Sequence, residues 1–195
     1  MTTNRLEAFS DGVLAIIITI MVLELKVPHG ASFQALEPLI PKFLSYLFSF
    51  IYVGIYWNNH HHLFQAIEKV NGKVLLANLC LLFWLSLLPF VTAWMGENHF
   101  AENTVAMYGF VLFMCALAFL LLEKMAVKHE GKESNIGQAL ADRWKERIST
   151  TGYFSGIILA FFYPIVSLII FYGIAVLWIM PDSRIENTLN QQADK

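Results

Sequence analysis

The chain is short of charge. Of its 195 residues only 14% are Asp, Glu, Lys or Arg, against about 25% in an ordinary soluble domain, and that shortage excludes most water-soluble folds. A basic excess is missing too. Thirteen Lys+Arg against fifteen Asp+Glu leave a formal charge of −2, so the chain is not built to neutralise phosphates and nucleic acid is not an expected partner. Cysteine is scarce, and Cys80 and Cys115 lie in apolar runs at no metal-ligand or redox spacing, which makes them small buried hydrophobes. There is no nucleophile elbow, phosphate-binding loop or HExxH pair, so neither an enzyme nor a resident metal or cofactor is expected. The N-terminal segment has no basic n-region and no small-residue cleavage site after the first apolar run, which is therefore expected to stay in the mature protein.

What the sequence has is hydrophobicity, 57% of its residues, gathered into long runs. A helix needs about 20 mostly apolar residues to cross a hydrocarbon core about 30 Å thick. Runs at residues 6–26, 40–64, 74–95, 104–127, 147–163 and 164–181 meet that need. They predict an all-α, polytopic membrane protein, one six-helix domain over 1–195 with a cytoplasmic connector at 128–146 and a polar tail at 182–195. Pro28 and Gly30 end the first span, Pro38 and Pro41 lead into the second, and Asn71-Gly72 turns the chain into the third. Pro89 predicts a kink within the third span, and Pro164 divides the last apolar stretch into a helical hairpin. In the connector, Ile136, Leu140 and Trp144 fall near helical spacing, compatible with an interfacial helix or with a solvated linker.

Charge placement tests the count of spans. With six spans and the N-terminus inside, eleven of the Lys and Arg residues fall on cytoplasmic segments and only Lys26 and Lys42 outside, the asymmetry expected of an inner-membrane protein with both termini cytoplasmic.

The first span is the most informative. Asp11 and Glu24 are thirteen residues apart, about 20 Å of helix, so a lipid-facing helix would drag charge into the hydrocarbon. An ionisable group at that depth faces protein or water instead, which places this helix inside an assembly. At about 100° per residue, Arg5, Phe9, Gly12, Ile16, Thr19 and Leu23 share one stripe with Ile20 at its margin. On a symmetry axis such a stripe would form an apolar constriction with a hydroxyl ring. The same periodicity is also what plain helix packing produces. Ser10 and Asp11 fit an N-cap, or interior positions if the helix starts earlier. In the second case Asp11 needs a partner, and Trp57, His60 and His61 near the end of the second span supply candidates. Three successive histidines project about 100° apart and cannot converge on one ion by themselves.

Arg5-x-x-x-Phe9-Ser10-Asp11 opening an Ile-rich helix, with Trp57-x-x-His60-His61 and Leu63-Phe64 in the second span, resembles the transmembrane protein 175 family of potassium channels. With one six-helix unit, the chain is similar to the prokaryotic form. The resemblance implies a homotetramer in the lipid bilayer with a central potassium pathway lined by four copies of the first helix. By position, the constriction falls on Ile16, Thr19 and Leu23. Arg5, Ser10 and Asp11 would tie that helix to its neighbours through Trp57 and a histidine, with the choice of histidine open. A different class of function, a proton-coupled transporter relaying through Asp11 and His60 or His61, uses the same residues.

Overall fold

The computed structural model describes residues 3–67, 70–131, 133–134, 136–137, 140 and 143–179. Among these there are helices and no strands: α1 (Thr3–Leu23), a 3-10 helix (Phe33–Leu39), α2 (Ile40–Gln65), α3 (Gly72–Leu85), α4 (Leu88–Glu97), α5 (Glu102–Glu130), α6 (Trp144–Ala160) and α7 (Pro164–Ile179). Counting the 3-10 helix with α2, and α3 with α4, as single passages, four segments among the described residues are long and apolar enough to cross a membrane, and α7 is a shorter apolar helix. The positions 180–195, which include the expected tail, lie outside the described residues.

Local chemistry sets most of the boundaries. The Asn71 side chain accepts from the backbone N–H of Lys73 at 2.9 Å and of Val74 at 3.0 Å, capping α3. The third passage is broken rather than bent at Pro89: α3 stops at Leu85 and α4 resumes at Leu88. A proline has no N–H for the carbonyl four residues back and its ring crowds that carbonyl. Here that carbonyl belongs to Leu85, so the interruption falls ahead of the proline, which then sits in the first turn of α4. Pro41 likewise occupies the first turn of α2. At Pro164 the chain turns between α6 and α7. Gly131, with φ of 103° and ψ of 154°, ends α5 in a positive-φ extended conformation that glycine adopts readily because it has no Cβ.

α5 is the central post. It packs against α3, α4, α6 and α7, while α2 lies on α4 and α1 covers α2, α3 and α4. Several core polar groups pair across helices within the bundle, as a water-free surrounding favours. Ser49 of α2 bonds Thr92 of α4 at 2.7 Å and Tyr108 of α5 at 3.0 Å, and the Tyr52 hydroxyl donates to the Phe171 carbonyl of α7. Close helix approach comes from glycine: a Cβ on Gly109 of α5 or Gly156 of α6 would run into the ring of Phe171. In the connector, Ile136 and Leu140 are buried in the main core. The solvated-linker reading of that segment therefore does not hold for these two residues, whose apolar side chains are drawn into the bundle.

Candidate functional site

α1 has two faces. Leu6, Ser10, Leu14, Ile17 and Met21 are buried against α2, α3 and α4. Opposite them Ile16, Thr19, Ile20 and Leu23 stand exposed in the single chain, Ile16 at 60% and Leu23 at 71%. The stripe derived from periodicity is thus the face that the chain itself leaves uncovered. Gly12 lies on it with no atom near the position of a Cβ. The Thr19 hydroxyl donates to the Ala15 carbonyl at 2.8 Å, which uses its hydrogen and leaves the oxygen lone pairs to the open face.

The helix starts at Thr3, so Ser10 and Asp11 are interior positions and not N-caps. Each is tied to a different neighbour. Trp57 Nε1 of α2 donates to Asp11 Oδ1 at 3.1 Å. The Ser10 hydroxyl donates to the Leu6 carbonyl at 2.9 Å and accepts from Asn78 Nδ2 of α3 at 3.0 Å. The Asn78 carbonyl oxygen faces His60 Nε2 at 2.8 Å. Because the Asn78 amide nitrogen donates to Ser10, its oxygen is the acceptor and His60 carries its hydrogen on Nε2. All three side chains of this chain of bonds are buried, so α1, α2 and α3 are joined through the protein interior.

His61 belongs to another contact. Its Nδ1 meets Glu7 Oε1 of α1, and Gln65 Nε2 lies 2.8 Å from its Nε2. An amide N–H can only donate to that ring nitrogen, so the hydrogen shared with Glu7 is on Nδ1. The histidines therefore serve different partners, and among the described residues none is hydrogen-bonded to Asp11. Of the two partners that the sequence allowed for Asp11, the indole is the one in place. The physical reason is angular: His60 turns toward α3, and His61, one residue further round α2, meets Glu7 instead. Arg5 and Phe9 lie on the exposed side of α1, where Phe9 is 53% exposed and neither joins these bonds.

Two members of the network were not singled out from the sequence. Asn78 is the one amide in the apolar run Val74–Leu85, and a lone polar residue in such a run is itself the signal that a partner faces it. Glu7 is one helical turn before Asp11 and gave no comparable signal.

A family model described as endosomal/lysosomal potassium channel TMEM175 matches residues 5–89. A potassium channel of Chryseobacterium sp. (strain P1-3) is 57% identical over 98% of this chain and 100% of its own length. The endosomal/lysosomal proton channel TMEM175 of Gallus gallus is 31% identical over 61% of this chain, which corresponds to 26% of that protein. The crystal structure of a lysosomal potassium-selective channel TMEM175 homolog from Chamaesiphon minutus superposes with a TM-score of 0.76 at 28% identity, covering 92% of this chain and 97% of that one. Full-length similarity to a potassium channel and a shared helical architecture leave one assignment: the chain belongs to the TMEM175 family of cation channels, and is an integral membrane protein and not an enzyme.

Proposed function

We propose that the chain is a potassium-preferring channel in which four copies of α1 surround a central pathway narrowed by Ile16, Thr19, Ile20 and Leu23. The observation that carries this reading is the uncovered apolar stripe of α1, in which Ile16 is 60% and Leu23 71% exposed. Lipid is a poor cover for it, because Asp11 and Glu24 bracket a stretch of only about 20 Å. A ring of identical stripes buries the same surface against itself and leaves the charged ends in water.

An apolar ring favours the ion that gives up part of its hydration shell at lower cost. Potassium, larger than sodium, holds water less tightly. The Thr19 oxygens, whose lone pairs face outward, would replace part of the lost shell. In this reading Arg5, Phe9, Ser10, Asp11, Trp57, His60 and His61 do not line the pathway. Ser10, Asp11, Trp57, His60 and His61 fix the rotation of α1, while Arg5 and Phe9 flank its inner mouth. The excess of Lys and Arg on alternate loops supports cytoplasmic termini and a bacterial inner-membrane home.

The test is ion flux in liposomes carrying the purified protein, with potassium, sodium and proton currents measured separately. Ile16→Asn is expected to raise sodium conductance and move the potassium/sodium reversal potential toward zero. An unchanged reversal potential and conductance would remove the constriction from Ile16. Saturable, proton-coupled uptake without ohmic single-channel currents would replace the channel by a transporter.

A further inference from the structure

The start of α3 and the end of α5 form the walls of an open groove with a volume of about 460 Å³, lined by Asn71, Gly72, Lys73, Met125, Lys128 and His129. Among the described residues that lining holds three basic side chains and no carboxylate. Lys73, Lys128 and His129 are exposed, and neither lysine is paired with a described acid. The contrast is Lys42 at the other end of the bundle, which spends its charge on Glu97.

The Asn71 side chain fixes what the groove presents. Its oxygen is spent on the cap of α3, so its Nδ2 is the group that meets His129 Nδ1 at 3.0 Å. An amide N–H can only donate, hence the neutral imidazole accepts at Nδ1 and carries its hydrogen on Nε2. The cap also occupies the N–H groups of Lys73 and Val74, so an anion in the groove is met by side chains: two ammonium groups and one ring N–H.

We propose that this groove holds the phosphate of an anionic phospholipid, with Lys73 and Lys128 on its charge and the glycerol portion over Met125. The position in the chain selects a lipid over a soluble phosphate. Lys73 immediately precedes the apolar run of residues 74–95, and Lys128 immediately follows that of 104–127, so both ammonium groups stand where hydrocarbon gives way to headgroups, whichever leaflet that is. A basic recess between membrane helices at that level suits an anionic headgroup. Leu76, one turn into the membrane from Lys73, is 67% exposed, and Leu121, two turns from Lys128 on the same face of α5, is 41% exposed. These side chains offer apolar surface to the acyl chains of a lipid seated there. The site lies on elements other than α1, so it stands independently of the pathway proposed above.

Equilibrium binding of radiolabelled dioleoyl phosphatidylglycerol to the purified full-length protein in mixed micelles tests the assignment, with dioleoyl phosphatidylcholine and glycerol 3-phosphate as competitors. Saturable binding is expected, displaced by unlabelled phosphatidylglycerol and by neither competitor at equal concentration. Lys73→Gln and Lys128→Gln should each weaken it about fivefold, the effect of one lysine near an anionic surface, whereas Lys42→Gln should leave it unchanged. Gly72→Trp separates a shaped site from a mere excess of charge: no atom lies near the position of a Cβ there, so the indole fills the groove, keeps every lysine and should abolish saturable binding. It also serves if a lysine variant does not elute as a single folded species. Absence of saturable binding, equal displacement by phosphatidylcholine or by glycerol 3-phosphate, equal weakening by Lys42→Gln, or full affinity in a folded Lys73→Gln, Lys128→Gln or Gly72→Trp protein would each overturn the proposal.

Discussion

Trp57 Nε1 donates to Asp11 Oδ1 across 3.1 Å, and so an aromatic residue of α2 satisfies a carboxylate that would otherwise stand alone in the middle of α1. Removing the donor with Trp57→Phe is expected to destabilise the chain by about 0.5–1.5 kcal/mol, the range of interhelical hydrogen bonds in membrane proteins. Asp11→Asn keeps an acceptor oxygen and should cost less than Asp11→Ala. A double-mutant cycle on Trp57→Phe and Asp11→Ala, read by SDS-induced unfolding, measures the coupling. Additive effects would show that the bond contributes nothing.

Asn78 makes a heavier demand. Asn78→Leu removes the acceptor of the buried His60 Nε2–H and the donor to Ser10 together, with an expected loss of about 2 kcal/mol. Ser10→Ala should lose less, because it leaves the Asn78–His60 bond in place. Thermal unfolding in detergent gives the order, Asn78→Leu below Ser10→Ala below wild type.

Steric change at the α5–α6–α7 contact acts through one ring. Gly109→Ala and Gly156→Ala each push a methyl group into Phe171, and overpacking of this sort costs about 1–3 kcal/mol. Shortening the ring side chain with Phe171→Leu should be harmful alone yet recover part of the loss when combined with either alanine. Unfolding of the double variants checks this.

The Lys42–Glu97 ion pair, 3.0 Å long and with Glu97 51% exposed, is a contrasting case. Exposed pairs of this kind contribute about 0.2–1 kcal/mol and weaken with salt. Lys42→Ala is therefore expected to shift the melting temperature little at low ionic strength and not at all at high salt.

Thr19→Val is nearly isosteric and removes the outward-facing oxygen. If the four-fold arrangement proposed above is right, potassium conductance falls while the protein assembles normally. Planar-bilayer recordings alongside size-exclusion profiles separate the two effects.

The α-helical architecture was legible because it rests on long apolar runs and on punctuation by proline and asparagine, both local signals. The division of α1 into two faces was legible for the same reason: Ile16, Thr19 and Leu23 are separated from Leu14, Ile17 and Met21 by helical geometry alone. Pairing was harder. That Asp11 takes Trp57 and that His60 takes Asn78 depends on the relative rotation of three helices, which no single-helix pattern encodes. Ile136 and Leu140 show the same limit, since a charged connector conceals two side chains that the core recruits. Glu146, only 5% exposed, was passed over entirely, since a glutamate between Lys145 and Arg147 reads as solvated surface until its helix is placed against α2 and α5.

The bonds of Ser10, Asp11 and Glu7 reach α2 and α3 from three successive positions around α1. They act as stops against spinning: a turn of this helix about its long axis would break all of them at once, the Ser10–Asn78 bond within a water-free interior. Any widening or closing movement of α1 should therefore carry α2 and α3 along as one block, tilting or sliding, and a gating model in which the helix rolls alone is at odds with its anchorage.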